Sequence, residues 1–555
     1  MTVTEILETY DEVKIGQQIV EGAVFFTLFG KPFLLLAPSE NDPTSNAAIY
    51  LYNDELSDYP HVMLRETSFA DIKGFPAGEY RWVCLYEHES IVQTLVSYED
   101  KIYDCIDRLI ELLSMGPVDK EKEFQKEFMY YWNSESAGSN RFSVYLDNEY
   151  QFAEMDVFYG AKEVRLIERG LILSDIDDRD KNERKWTHHT ENDVYYIPIV
   201  DNRGILPPHR GFQWTANEIQ NVVYGKQIEH ISSESFQQLK SLMPRMQDII
   251  LVFGMTTEQS NVTFAIKVKC RNNTRRSILD KLLYDVIAAE PLFTERKDYR
   301  YLCEQIGSST ELLSKRILLV GAGSLGSYVA LELVKNGATN IRIYDCDELE
   351  DENILRWAYG GIGKKSKKAI TTQLLLNLLH PQISVEAVTK NINVESLVDE
   401  LADIDMVIFT IGNSDEQLKF NAALKKTGCS IPVLYAWLEE GGVFSHILFV
   451  NYQDKGCFEC LYTDFHGNYV NNRARKNDEL TIEKGIIRNG CGGTRAAYGT
   501  AVLLRTTAAL LDTIRSVNDH TIKKSTLIDI APDRISISDT KFPVEVCNCC
   551  GNKVK

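Results

Sequence analysis

Three glycines, Gly321, Gly323 and Gly326, stand in the stretch RILLVGAGSLGSYVALELVKNG. An apolar run, G-x-G-x-x-G and then a helical pattern let a backbone turn tightly and approach a phosphate. The free N–H groups opening the following helix, from Ser324, attract its charge. The next apolar run, IRIYDCD, carries Asp345 about 20 residues past the glycines, where a ribose hydroxyl needs an acceptor. A second acid, Asp347, then Asn353 and Arg356 follow in DCDELEDENILR. An acid pair there can take a ribose and help hold magnesium. Asn and Arg can grip a triphosphate and stabilise charge on departing pyrophosphate. Four lysines come next, at 364, 365, 367 and 368. A dehydrogenase binding NAD gains nothing from that much positive charge, whereas attack at the α-phosphate of ATP does. Three of the four read equally well as a solvated loop.

The cysteines carry a second chemistry. Cys457 with Cys460, and Cys547 with Cys550, form two C-x-x-C pairs. Each pair supplies two thiolates from one tight knuckle, and together they predict a tetrahedral zinc site. The separation of the pairs exceeds that of a zinc ribbon, so the ion would staple two distant segments. Cys549 is a substitute ligand, and the alternative is a set of free surface thiols. Cys491 sits in IIRNGCGGTRAAYGTAVLLRTTAALLDTI, between a polar lead-in and a long apolar helix. A thiol at a helix mouth stays accessible and ionises readily, which suits a nucleophile. The bland reading is a small residue packed at a glycine-rich turn.

These residues need elements to hold them. From about residue 300 the pattern alternates strand with helix, which predicts a parallel sheet with crossover helices. Before it, GAVFFTLFGKPFLLLAP, AAIYLYND and YRWVCLYEHE read as strands. SYEDKIYDCIDRLIELLSMG reads as an amphipathic helix with Ile102, Ile106, Ile110 and Leu113 on one stripe, ending at Gly116. EFQKEFMYYW reads as a further helix. DIILVFGM and NVTFAIKVKC read as strands, with a helix after Asn273. The polar run DIDDRDKNERKWTHHTEND reads as an exposed loop.

Bulk properties exclude several classes. At 555 residues, with 44% apolar and 25% charged residues, the chain is expected to fold as a soluble protein of several domains. A net charge of −20 opposes binding to nucleic acid or an anionic membrane. The sequence starts without a basic segment and apolar run, and no uninterrupted apolar stretch of about 18 residues occurs. The expectation is a cytoplasmic protein without a membrane span, whose cysteines are not a disulfide framework.

The order GxGxxG, D-x-D, N-x-x-R, Lys and C-x-x-C pairs resembles the ThiF/MoeB adenylation fold of ubiquitin-activating enzymes. The resemblance implies an enzyme that uses MgATP to adenylate the C-terminal carboxylate of a ubiquitin-like partner. It implies that Gly321, Gly323, Ser324 and Gly326 form the phosphate turn and Asp345 holds the ribose. It further implies that Asn353, Arg356 and Lys368 contact phosphates, with Arg356 assisting catalysis. Cys457, Cys460, Cys547 and Cys550 then bind zinc, and Cys491 accepts the acyl group. One departure is Gly412, standing where the family commonly has an Asp that binds Mg²⁺; Asn413 and Asp415 lie nearby.

The N-terminal third is similar to a ubiquitin-conjugating domain, with Cys84 at its cysteine position, His61 on the approach loop and Tyr98 in place of a proline. A conjugating domain ahead of an activating one resembles the fused conjugation enzyme of CBASS antiphage operons. That resemblance implies a homodimer joining the C-terminal tail of a cGAS-like nucleotidyltransferase to target lysines, with Cys84 as second acyl carrier. Cys84 reads otherwise as a buried thiol; Cys105 reads as core. The expected fold class is α/β. A Rossmann-like ThiF domain with a zinc site spans 301–555. An α+β conjugating-like domain over 1–132 and an α+β middle region over 133–300 precede it. Other readings are an activator of a bacterial ubiquitin-like or sulfur-carrier protein, an NAD-dependent oxidoreductase, and a binding scaffold.

Overall fold

The computed structural model describes residues 1–555 except 21, 40–41, 43, 55, 63–68, 70–74, 86–92, 137, 139, 177–185, 226, 245, 259, 272–275, 477–485, 489–493, 539–541 and 552–555. The chain divides into two compact units: Met1–Leu171 with Asn182–Lys297, and Ile172–Lys181 with Asp298–Lys555.

The first unit begins with a short helix, α1 (Val3–Leu7), capped by Thr2. An antiparallel meander follows in the order β1 (Val13–Val20), β2 (Ala23–Leu28), β3 (Lys31–Leu36), β4 (Ala48–Tyr52), β5 (Tyr80–Val83). Along β2, Val24, Phe26 and Leu28 alternate inward, as a half-buried strand requires. They pack against α2 (Tyr98–Ser114), which buries Ile102, Cys105, Ile106, Leu109 and Leu112. The stripe thus turns through Leu109 and Leu112; Ile110 and Leu113 are only half-buried. Ser97 caps this helix. Gly116 does not end it but caps α3 (Pro117–Lys126), whose N-terminal proline suits a first turn. The EFQKEFMYYW stretch is split, because the backbone leaves the helical region at Glu127 before α4 (Phe128–Glu135).

A mixed eight-stranded sheet completes this unit: β6 (Arg141–Tyr145), β7 (Ala153–Tyr159), β8 (Glu163–Glu168), β9 (Thr187–Pro198), β10 (Asp248–Thr256), β11 (Asn261–Cys270), β12 (Val286–Leu292) and β13 (Thr294–Arg296). Helices α5 (Ala216–Tyr224), α6 (Ser233–Ser241) and α7 (Ile278–Tyr284) accompany it. The sheet corrects one expectation. The second half of the polar run, THHTEND, is strand and not loop, because its backbone pairs with β7 and His188 stacks on Phe158 across the pair at 4.8 Å.

The second unit holds α8 (Tyr299–Gln305), β14 (Arg316–Val320), α9 (Ser324–Lys335), β15 (Asn340–Tyr344), α10 (Lys368–Asn377), β16 (Ser384–Val388), α11 (Val394–Glu400), β17 (Met406–Phe409), α12 (Ser414–Lys426) and β18 (Val433–Leu438). The remaining elements are β19 (Ser445–Val450), the paired strands β20 (Ile486–Arg488) and β21 (Thr494–Ala496), α13 (Thr500–Asn518), β22 (Thr526–Ile530) and β23 (Ile535–Ser538). The sheet order is β16-β15-β14-β17-β18-β19-β22-β23. The first five strands run parallel, as the strand–helix alternation predicts. The last three run antiparallel, which the alternation did not predict. The link from β18 to β19 is hairpin-sized, too short for a crossover helix. No helix among the described residues is long and apolar enough to cross a membrane.

Candidate active site

Strand order reverses beside β14, whose neighbours β15 and β17 leave it on opposite sides. A crevice opens at such a switch point, beyond the carboxyl ends of the strands. Here it is a cavity of about 330 Å³ lined by Gly321, Gly323, Asp345, Asp347, Asn391 and Glu416, among others. That volume suits a small organic ligand.

Each glycine of the turn has its own reason. Gly321 adopts φ +101°, where a side chain would be strained. Gly323 faces open space and leaves the cavity floor bare. A Cβ on Gly326 would overlap the carbonyl oxygen of Gly321, so close packing of α9 on the turn requires glycine. We therefore expect Gly326→Ala to destabilise the fold by about 3 kcal/mol, at the upper end of overpacking costs. Gly323→Ala should leave the fold intact and weaken nucleotide binding. Thermal unfolding and a nucleotide titration on each variant check the pair.

Asp345 is half-buried at the end of β15. Its two oxygens accept from the backbone N–H groups of Ala322, at 2.6 Å, and Asp347, at 2.8 Å. Burial raises its pKa above the usual value, against the pull of those two donors. Asp347 projects from the surface, and Lys368 at the start of α10 donates to it at 3.0 Å. Lys368 is buried, with a side chain only 8% exposed. The other lysines sit outside the cavity: Lys367 pairs with Glu348, Lys364 pairs with Asp351, and Lys365 is exposed.

Asn353 and Arg356 lie on a short 3-10 helix, Asp351–Arg356. Trp357 pins its end by donating to the Ala322 carbonyl at 2.9 Å. The Arg356 guanidinium donates to the Ala496 carbonyl at 3.3 Å and lies 5.3 Å from the ring centre of Tyr498. Ser324, Asn353, Arg356 and Lys368 do not line the cavity, and Lys368 adjoins it only through Asp347. Sequence reasoning missed Lys390, Asn391, Thr410 and Glu416, which do line it. Lys390, Asn391 and Thr410 stand just past the ends of β16 and β17, where the strand-end rule would have found them, whereas Glu416 lies in the first turn of α12. Gly412 takes φ +66°, and Asn413 caps α12 by accepting from the N–H groups of Asp415 and Glu416. Glu416 thereby reaches the cavity lining and Asp415 does not.

The sulfur atoms of Cys457, Cys460, Cys547 and Cys550 all lie within 4.8 Å of one another. Two of the separations are 3.8 and 3.4 Å. Tetrahedral zinc with bonds of about 2.3 Å holds its sulfurs about 3.8 Å apart, so this all-thiol donor set fits the ion. Cys549 stands outside the set and accepts from the Asn421 amide at 3.2 Å. Cys491 lies outside the described residues.

In the first unit, Cys84 is half-buried just past β5, and its N–H donates to the His61 carbonyl at 2.8 Å. His61 takes φ +64°, and its ring nitrogens lie 3.2 Å from Glu123 and 3.4 Å from Glu127. Burial lowers the imidazole pKa, but Glu127 and Glu123 outweigh it and hold it above the usual value. Cys105 is fully buried in the core of this unit.

Residues 302–549 match the ThiF family. They form a ThiF-family domain. Ubiquitin-like modifier-activating enzyme 5 of Drosophila simulans is 23% identical over 224 residues, covering 35% of this chain and 50% of that protein. The sulfur carrier protein ThiS adenylyltransferase of Bacillus subtilis is 27% identical over 147 residues, covering 26% of this chain and 43% of that one. The chain thus spans half or less of these curated relatives. Among solved structures, MccB of E. coli with ATP aligns at 19% identity and a TM-score of 0.34, covering 44% of this chain and 68% of MccB.

Proposed function

We propose that this chain uses ATP to adenylate the C-terminal carboxylate of a partner protein, carries the acyl group on Cys491 and then Cys84, and delivers it to a lysine amine. The observation that carries the first step is the switch-point cavity, with Gly323 bare at its floor and Asp345 at its wall, inside a ThiF-family domain. In this reading Asp345 takes the ribose hydroxyls, and Gly321, Gly323, Ser324 and Gly326 bring backbone N–H groups to the phosphates. Asn353, Arg356 and Lys368 hold the triphosphate, with Arg356 supporting charge on the departing pyrophosphate. Asp345, Asp347 and Glu416 are the carboxylates for Mg²⁺, which would neutralise phosphate charge. Zinc on the four thiolates is structural.

A carboxylate is a poor electrophile, so activation comes first. A carboxylate oxygen bonds to the α-phosphorus and the bond to pyrophosphate breaks. The Cys491 sulfur then bonds to the acyl carbon and AMP leaves. Exchange onto Cys84 and attack by a lysine amine complete the transfer, each cysteine splitting one hard step into easier ones. The Cys84 step is supported by the order helix, antiparallel meander, cysteine, helix in the first unit. The resemblance to the fused CBASS enzyme supports a cGAS-like nucleotidyltransferase as partner, a homodimeric assembly and a cytoplasmic setting. A second reading, activation of a ubiquitin-like or sulfur-carrier protein, is favoured by the names of the two curated relatives.

The test is ATP–pyrophosphate exchange with candidate partners, followed by intact mass without reductant. Cys491→Ala should keep exchange within about twofold while thioester falls below about 1% of the parent. Cys84→Ala should leave thioester stalled on Cys491. Exchange absent with every candidate, together with a bound nicotinamide nucleotide, sinks the reading. Conjugation that survives Cys84→Ala makes the first unit a scaffold.

A further inference from the structure

Segment 286–296 plays a double part in the mixed sheet of the first unit. Its β12 half pairs with β11 and its β13 half pairs with β6, at opposite ends of the strand order. Phe293 alone separates the halves, and its carbonyl accepts from the Phe142 N–H at 2.8 Å. The sheet therefore closes into a barrel. Helices cover its outer face through Ile249, Leu251 and Phe253, while Val144, Val157, Leu166 and Val252 pack inside. Above that apolar plug, at the carboxyl ends of β9, β10 and β13, lies a cavity of about 420 Å³. Barrel mouths are favoured places for small-molecule sites. This one is larger than the cavity beside Asp345 and shares no lining residue with it.

The lining is polar and balanced in charge. Arg296 and Glu149 form an ion pair there, with side chains 3% and 7% exposed. Glu149 also accepts from the Asn261 amide at 3.2 Å, and its backbone carbonyl accepts from the Tyr196 hydroxyl at 2.8 Å. Such a buried pair is costly to desolvate, and apolar side chains of similar volume would stabilise a barrel as well. Gly254 makes room for the Tyr196 hydroxyl, since a Cβ there would meet its oxygen at 1.9 Å. Thr263 stands opposite Gly254 in the register and lines the cavity. It is 3% exposed, and its hydroxyl has no hydrogen-bond partner among the described residues. A buried hydroxyl in that state stabilises nothing until something pairs with it. At the rim, Tyr150 is 72% exposed, and Arg203 donates to Asp201 at 3.0 Å. The lining thus carries two acids and two cations, each cation on an acid.

We propose that the barrel mouth binds an uncharged nucleoside. With each cation matched by an acid, the lining has no surplus positive charge for a phosphate. Arg296 beside Glu149 sets a donor next to an acceptor, and the edge of a nucleobase presents the complementary pairing. Tyr150 gives the ring a face to stack on, and the Thr263 hydroxyl gains the partner it lacks. The site stands independently of the adenylation reading.

The test is equilibrium dialysis of the full-length chain against guanosine, cytidine and uridine at up to millimolar concentration. A non-hydrolysable ATP analogue is present throughout, to fill the switch-point cavity. At least one nucleoside should bind, and its 5′-monophosphate should bind about tenfold more weakly, because its charge is desolvated without a partner. Glu149→Gln would strand the buried Arg296 charge and endanger the fold, so two milder variants decide. Tyr150→Ala should weaken binding about tenfold. Thr263→Val should weaken it about fivefold while the melting temperature holds or rises, because the hydroxyl removed has no partner to lose. Absence of binding by all three nucleosides overturns the proposal, as does binding unchanged in either variant. A monophosphate that binds as tightly as its nucleoside, or glucose that binds as well, overturns the ligand class.

Discussion

Asp345→Asn is expected to lower ATP–pyrophosphate exchange by about a hundredfold, comparable to losing one strong transition-state contact. The carboxylate bonds two backbone N–H groups at once, those of Ala322 and Asp347. Asparagine keeps one acceptor oxygen and turns an NH₂ toward a second N–H. A buried donor is then left unpaired, at a cost of about 1–3 kcal/mol, and the glycine turn is released from the end of β15. On the proposed role of Asp345, ribose recognition goes with it. The measurement is exchange across a range of ATP concentrations, with circular dichroism to show the fold retained. Asp347→Asn makes the informative contrast, because Asp347 also lines the cavity but its side chain pairs with Lys368 and does not hold the Ala322 N–H. Equal exchange in Asp345→Asn and the parent would remove Asp345 from the site.

Chelation of the zinc proposed for the four-sulfur cluster should have the largest structural effect. Structural zinc on thiolates contributes apparent binding free energies of about 10–16 kcal/mol near neutral pH, comparable to the whole stability of a domain. Cys457 precedes and Cys460 lies within a short 3-10 helix, Phe458–Tyr462, that packs against α12, while Cys547 and Cys550 lie about the C-terminal end of the family match. A strong chelator should therefore lower the melting temperature of the second unit sharply. Elemental analysis should return one zinc per chain, and Cys460→Ser should lose it. Cys549→Ser should keep it, since Cys549 stands outside the cluster. A chain that carries no metal and melts unchanged with chelator would refute the assignment.

Where the chemistry lies within one short stretch, spacing along the chain carried most of the information. The strand, turn and helix around Gly321, Gly323 and Gly326 follow from a period that switches from strand to helix across a glycine turn. Asp345 was legible because a βαβ unit has a nearly fixed length. Helix α2 was legible from its period, although its buried stripe rotated toward Leu109 and Leu112. THHTEND was misread because its strand character comes from partners on β7, which no local pattern in the run records.

The sequence by itself determined the glycine turn, the acid that follows it and the two thiol pairs, since bond geometry over a few residues leaves each little choice. Only the tertiary structure decided that four sulfurs converge without Cys549, that Lys390, Asn391 and Glu416 join the cavity, and that Arg356 docks on Ala496. It alone brought His446, Glu439, Asp529 and Lys476 together, from positions spread between 439 and 529. Contacts of that range depend on strand order and on which carboxylates face the buried His446 ring, and both are properties of the packed chain.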